Sequence, residues 1–206
     1  MKYLLYVVIL FLGFNALAQN RTQKSFSDSN IASIHINGNA VFKISIETNT
    51  SNTITIDSKI AGENNEHVVL ITEIINNTLY VATKYQPLFT DANDKLSAHK
   101  VISIELGLNI PVNKSIYVSS DIATVFVNGQ YKEAIIELIN GACILKDFIG
   151  DATVNTIQGD IDVNTNFTKL DAFTKNGTLT LETLSKGNRL LSLYSINGNI
   201  MVIKSQ

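Results

Sequence analysis

Cysteine occurs once in 206 residues, proline twice and tryptophan not at all, while charged residues make up only 17%. With Cys143 alone, no intramolecular disulfide can form and the core must hold the fold; a lone thiol in an oxidising compartment is best kept buried. The formal net charge of −2 comes from scattered charges with no basic stripe, which excludes the electrostatic footprint of a nucleic-acid partner. No Gly-x-Ser-x-Gly turn, phosphate-cradling glycine loop or dinucleotide fingerprint occurs, so nucleophilic and cofactor chemistry lack support and no cofactor is expected. No segment beyond the N-terminus is apolar enough to span a membrane as a helix, and no stretch keeps a helical period.

What is present is a globular composition, 45% apolar, at a length that suits one domain. Lys2 precedes an apolar run from Tyr3 to Phe14 and then Ala16-Leu17-Ala18. That order reads as a secretory signal peptide, residues 1–18, cut before Gln19. The rest, 19–206, reads as one all-β domain with an antiparallel N-terminal part, 31–119, and strand repeats over 120–206. Expected strands in the first part are Ile31 to Asn37, Ala40 to Glu47, Thr53 to Ile60, His67 to Ile75, Leu79 to Lys84, Val101 to Leu108 and Ser115 to Ser119. Asn76-Asn77 marks a tight hairpin, because Asn tolerates the left-handed backbone such turns need. Residues 86–99, with Pro87, Asp91, Asn93 and Asp94, read as one long exposed loop.

The second part repeats one unit: INGACIL at 139–145, IQGDIDV at 157–163, KNGTLTL at 175–181 and INGNIMV at 196–202. Gly141, Gly159 and Gly177 lie 18 residues apart and Gly198 follows after 21. In register, the second residue after each glycine is Cys143, Ile161, Leu179 and Ile200, and the fourth is Leu145, Val163, Leu181 and Val202. Seven before stand Ala134, Ala152, Leu170 and Leu191; five before stand Ile136, Val154, Ala172 and Leu193. Three before come Leu138, Thr156, Thr174 and Ser195, a candidate hydroxyl ladder. Such columns imply stacked strands about 4.8 Å apart, a parallel coil of one turn per unit. An antiparallel meander or sandwich is the alternative, since Asn-Gly also makes hairpins. In the coil, the N-terminal part caps one end and Ile200 to Ile203 leaves an open edge at the other, suited to pairing with another copy.

Candidate chemistry is sparse, and no catalytic, cofactor-binding or metal residue is assigned. Asp160 and Asp162 share one outward face, yet their expected neighbours, Ala142 and Ile144 on one side and Thr178 and Thr180 on the other, add no acid or base for glycoside cleavage. His35, His67 and His99 stand apart, without ligand spacing. Asp91, Asn93 and Asp94 lack the remainder of a calcium loop, with Lys95 at the next ligand position. Tyr80, Tyr85, Tyr117, Tyr131 and Tyr194 would stack on sugar rings if they gather on one flank.

The stretches IHINGNAVFKISI at 34–46, NNTLYVA at 76–82, ISIELGLNIPVNKSIYVSS at 102–120 and the repeats from Val127 to Val202 resemble the putative auto-transporter adhesin, head GIN domain family. SSDIATVFV lacks the glycines usual before the repeats, and no Gly-Ile-Asn triplet occurs. The resemblance implies a right-handed β-helix-like solenoid and an exported bacterial envelope protein, periplasmic, surface-bound or extracellular in a Gram-negative-type cell. It brings no catalytic residue. The expected function is therefore an adhesin-like binding module for envelope glycan or protein. The alternatives are a self-assembling envelope protein joined through the C-terminal edge strand and, more remotely, a polysaccharide-cleaving enzyme using Asp160 and Asp162. The repeats reach the C-terminus and leave no room for a translocating barrel of eight or more membrane strands.

Overall fold

A computed structural model describes residues 20–62, 65–86 and 102–205. The signal segment 1–18 lies outside the described residues, as do His99 and all of the 86–99 loop except Gln86. The described chain is all-β. Its strands are β1 (Asn20–Ser27), β2 (Ser33–Asn37), β3 (Lys43–Asn49), β4 (Thr53–Gly62), β5 (Val68–Ile75), β6 (Thr78–Tyr85), β7 (Ile102–Pro111) and β8 (Ser115–Ser120). They continue with β9 (Thr124–Asn140), β10 (Cys143–Gln158), β11 (Ile161–Thr165), β12 (Thr168–Thr174), β13 (Leu179–Leu181), β14 (Arg189–Ser195) and β15 (Ile200–Lys204).

The pairings form two rows. The first runs β1-β4-β7-β3-β9-β10-β11-β15-β13, the second β5-β6-β2-β8-β9-β10-β14-β12. Strands β9 and β10 serve both, because each bends midway: Cys143 to Lys146 pair with Val125 to Asn128 in the first row, and Asp151 to Thr156 with Glu133 to Leu138 in the second. The bend in β9 falls at Gly129, whose φ of +110° suits only glycine without strain, and in β10 beside Asp147 at φ 47°. Inside these corners Tyr131 stacks on Phe148, ring centroids 5.6 Å apart, and its hydroxyl donates to Ile46 O and Asn128 O at 3.0 Å each. Tyr131 is fully buried, so it is a corner plug and not one of the sugar-facing tyrosines that the sequence suggested.

The repeat columns are in register as the glycine spacing implies. Cys143 pairs with Ile161, Ile161 with Ile200, and Ile200 with Leu179, all in parallel strands. In the other row the column runs Ala134, Ala152, Leu191, Leu170. The order, however, is not the chain order. The last unit, β14 with β15, lies between the second and third, so β15 is flanked by β11 and β13. The open edge expected at Ile200 to Ile203 is therefore absent there; the outermost strands are β12 and β13. Equal phase tells which residues share a column and not which unit neighbours which. The extra residues between Gly177 and Gly198 give the chain the length to step back by one strand.

The N-terminal part also departs from expectation. Antiparallel pairing is confined to β1–β4, β4–β7 and β5–β6. The Asn76-Asn77 hairpin is present, with φ of 48° and 62°, but it fixes only β5 against β6. Strands β2 and β3 pair in parallel, β2 between β6 and β8 and β3 between β7 and β9. An early unit is thus also laid between later ones.

Two side-chain systems tie the units together at the turns. Buried Thr156 and Ser195, with half-buried Thr174, form the hydroxyl ladder that the repeats suggested, and Leu138 holds the remaining place in that column. Thr156 Oγ1 lies 2.9 Å from Ser195 Oγ and 2.8 Å from Gly159 O, while Ser195 Oγ accepts from Gly198 N at 2.8 Å. Thr174 Oγ1 repeats the pattern, accepting from Gly177 N at 3.1 Å and donating to Gly198 O at 2.7 Å. Each hydroxyl closes its own turn, and those of Thr174 and Ser195 also reach the glycine carbonyl of the neighbouring unit. The repeat glycines meet directly: a Cβ on Gly159 would stand 1.9 Å from Gly141 O, one on Gly198 1.9 Å from Gly159 O, and one on Gly177 2.0 Å from Gly198 O. Glycine recurs here because these backbones leave no room for a side chain.

Candidate functional site

Alternation along the second row sends one set of side chains inward and the other to a shared outer face. On that face His35 stands between Tyr80 and Tyr117 in paired strands, with ring centroids 5.2 Å away on both sides. One column over, Glu137, Asn155, Tyr194 and Phe173 lie side by side. Where the strands run into the turns, Ile139, Ile157 and Ile196 follow one another, held in line by Asn197 N to Ile157 O at 3.0 Å and Ile196 N to Thr156 O at 3.1 Å. These isoleucines are 45%, 42% and 43% exposed, and Phe173 is 58% exposed. Three isoleucines aligned in water are an apolar stripe that the core does not use.

The stripe and the column beside it line a groove of about 640 Å³, with Asp121, Glu137 and Lys175 as its charged members. A second hollow of about 400 Å³, around His35, Tyr80 and Tyr117, adjoins it; both include Ser119. Two phenols are anchored to carboxylates. Tyr117 OH donates to Glu137 Oε2 at 2.6 Å and Tyr194 OH to Asp171 Oδ2 at 2.5 Å. Those hydrogen bonds hold both phenols above their ordinary pKa, so they stay protonated donors with fixed rings. The arrangement is a trough whose exposed wall is mostly apolar, with polar anchors such as Ser119, Asp121, Glu137 and Lys175, a lining suited to binding.

Of the residues singled out from sequence, Tyr80, Tyr117 and Tyr194 gather on this one flank, while Tyr85 stands at the end of β6. His67 lies 3.5 Å from Glu66, away from the groove. Asp160 and Asp162 are on the first row's outer face. The inserted last unit changes their expected neighbours: beside Asp162 are Ile144 and Met201, and Asp160 Oδ1 accepts from Asn199 N at 2.7 Å. Thr178 and Thr180 are one strand further away. The signal for the isoleucine stripe was in the repeat itself, two residues before Gly141, Gly159 and Gly198.

Burial, then the charge of Asp160, raises the Asp162 pKa above its ordinary 3.8. Below 3.8 the group is protonated folded or unfolded and carries no penalty. As pH rises through that value the unfolded chain ionises first, so Asp162 costs stability progressively until it ionises in the folded state too. Asp162→Asn is therefore expected to be at least as stable as the parent at neutral pH in urea titrations, and to lose that advantage in acid. A variant less stable at neutral pH would mean the carboxylate has a favourable partner. The buried Cys143 thiol is likewise raised, by burial first and the Asp162 charge second, and is not a nucleophile in the folded chain.

No family model and no curated protein matches the chain. Among solved structures it is similar to a putative cell adhesion protein from Clostridium sporogenes ATCC 15579, at 15% identity over 91% of this chain and 100% of that one, with a TM-score of 0.63. It is also similar to a putative adhesin from Bacteroides fragilis NCTC 9343, at 12% identity over 91% and 99% of the two chains and a TM-score of 0.40. A putative adhesin from Parabacteroides distasonis ATCC 8503 follows at 11% identity, 89% and 97% coverage and a TM-score of 0.36. The first of these shows that the all-β fold is shared over 91% of this chain.

Proposed function

We propose that this chain is an exported, non-catalytic binding module of the cell envelope, built as a right-handed parallel β-solenoid and delivered by a signal peptide over residues 1–18. The parallel, in-register pairings and the resemblance to the head GIN domain family support the solenoid. Similarity to proteins named as adhesins supports binding over catalysis. No helix among the described residues is long and apolar enough to cross a membrane. The observation that carries the reading is the outer face of the second row, where Tyr194, Phe173 and the isoleucine stripe line one groove. An extended envelope glycan laid across the strands would meet an aromatic or apolar side chain at each step of about 4.8 Å.

The test is binding of the secreted chain to a glycan array and to isolated envelope fractions. Truncating Tyr194 and Phe173 to Ala together should weaken the bound species about tenfold or more, given roughly 0.5–1.5 kcal/mol per aromatic contact beyond area. Binding that ignores both changes and disappears with substitutions on the first row's outer face would place the site elsewhere. A protein ligand in place of the glycan would show as envelope binding abolished by protease treatment of the fraction.

A further inference from the structure

The two ends of the strand rows are finished differently. At the end formed by β1 and β5, the Lys24 ammonium crosses from one row to the other, 3.0 Å from Leu70 O and 3.0 Å from Thr72 Oγ1. The core beneath it is sealed, with Ile54 and Ile56 fully buried and Leu70 at 7% exposure. At the other end, formed by β12 and β13, half-buried Leu184 packs against the core and Ser185 N donates to Asn166 Oδ1 at 3.0 Å, but the strands themselves are less well covered. Leu179 and Leu181 are each 45% exposed, although their register partners Ile200 and Val202 are at 1% and 0%. In β12, Leu170 and Ala172 are half-buried beside fully buried Leu191 and Leu193. The apolar columns run out of the molecule here.

Among the described residues, strand β12 pairs only with β14, which leaves its outer backbone edge open. It is seven residues long, holds an unbroken register with β14 from Thr168 to Thr174, and contains no proline. A strand edge of that length adds readily to another strand. We propose that its occupant is a second copy of this chain, with β12 pairing antiparallel to β12 across a two-fold axis normal to the sheet and centred on Leu170.

The charge pattern selects that partner and that register. Such an axis keeps outward residues opposite outward residues, so the centre alone decides what meets. Centred on Leu170, exposed Lys169 lies opposite Asp171 of the second copy, and Asp171 opposite its Lys169. Centred on Asp171, two carboxylates face each other; centred on Lys169, two ammonium groups do. Directly opposed unlike charges stabilise an antiparallel pair and like charges destabilise it. At the favoured centre Leu170 meets its own mate, extending the column Ala134, Ala152, Leu191, Leu170 into the second molecule. Both outer groove faces then lie on the same side of the joint.

Sedimentation equilibrium on the secreted chain across micromolar concentrations tests this. The parent should be a dimer. Lys169→Glu and Asp171→Lys should each raise the dimer dissociation constant about tenfold or more, because two attractive contacts become repulsive at once. The double variant Lys169→Glu/Asp171→Lys should return it to near the parent value. Circular dichroism melts on the same samples separate dissociation from unfolding. A parent that stays monomeric at all concentrations overturns the proposal, as does a dimer that both single reversals leave intact. Restoration by the double change is the readout that lost folding cannot imitate.

Discussion

Val202→Pro should lower the urea denaturation midpoint of this protein steeply, whereas Leu181→Pro, in the strand beside it, should leave the midpoint nearly unchanged. Val202 is fully buried in β15, paired with Val163 on one side and Leu181 on the other. Its carbonyl accepts from Glu182 N at 2.9 Å, and Ile200 N donates to Thr178 O at 2.9 Å. The alternation of a parallel ladder then aims the Val202 N–H at β13, so proline there deletes a bond and forces a ring between two strands. The same alternation turns the Leu181 N–H outward, where proline deletes no bond within the chain. Loss of ~3 kcal/mol or more is expected for the first change and a small fraction of that for the second, read as midpoints of urea denaturation by circular dichroism. Equal losses would contradict the placement of β15 between two neighbours.

Gly198→Ala carries the second largest expected effect. Its Cβ would stand 1.9 Å from Gly159 O, 2.4 Å from Gly159 C and 2.9 Å from Ser195 Oγ. Gly159 has little room to give way, because it lies so close over Gly141 that a Cβ on it would stand 1.9 Å from Gly141 O. Overpacking a core typically costs 1–3 kcal/mol and more when backbone must move, so about 3 kcal/mol is expected here. Gly177→Ala has nearly the same contact, 2.0 Å from Gly198 O, yet it lies in the outermost unit and can shift away. It should cost distinctly less. A Gly177 variant as damaged as the Gly198 variant would mean the outer unit is as confined as the inner one.

The columns of Cys143, Ile161 and Ile200 were legible in the sequence because a fixed spacing sets the phase of every side chain. The placement of Ile200 between Ile161 and Leu179 was not, since Ile, Leu and Val columns are interchangeable and any unit can pair with any other. Strand β1 was missed because NRTQKSFS places a single apolar residue, Phe26, among polar ones, as befits an edge strand. Tyr131 read as an exposed aromatic because the unit around Gly129 departs from the common spacing, and the bend that buries it is a three-dimensional fact. In the candidate site, Tyr80, Tyr117 and Tyr194 were visible as residues but their convergence needed the pairing of β2, β6, β8 and β14. The isoleucines at 139, 157 and 196 recur in the sequence, but an apolar residue just before Asn-Gly or Gln-Gly looks like part of the turn.

The interleaved placement of β14 and β15 also governs when this protein can assume its shape. Residues 200–204 are synthesised after β12 and β13, yet β15 lies between β13 and the rest of its row, so β13 has no strand to pair with before they arrive. The nascent polypeptide is thereby kept from completing itself early.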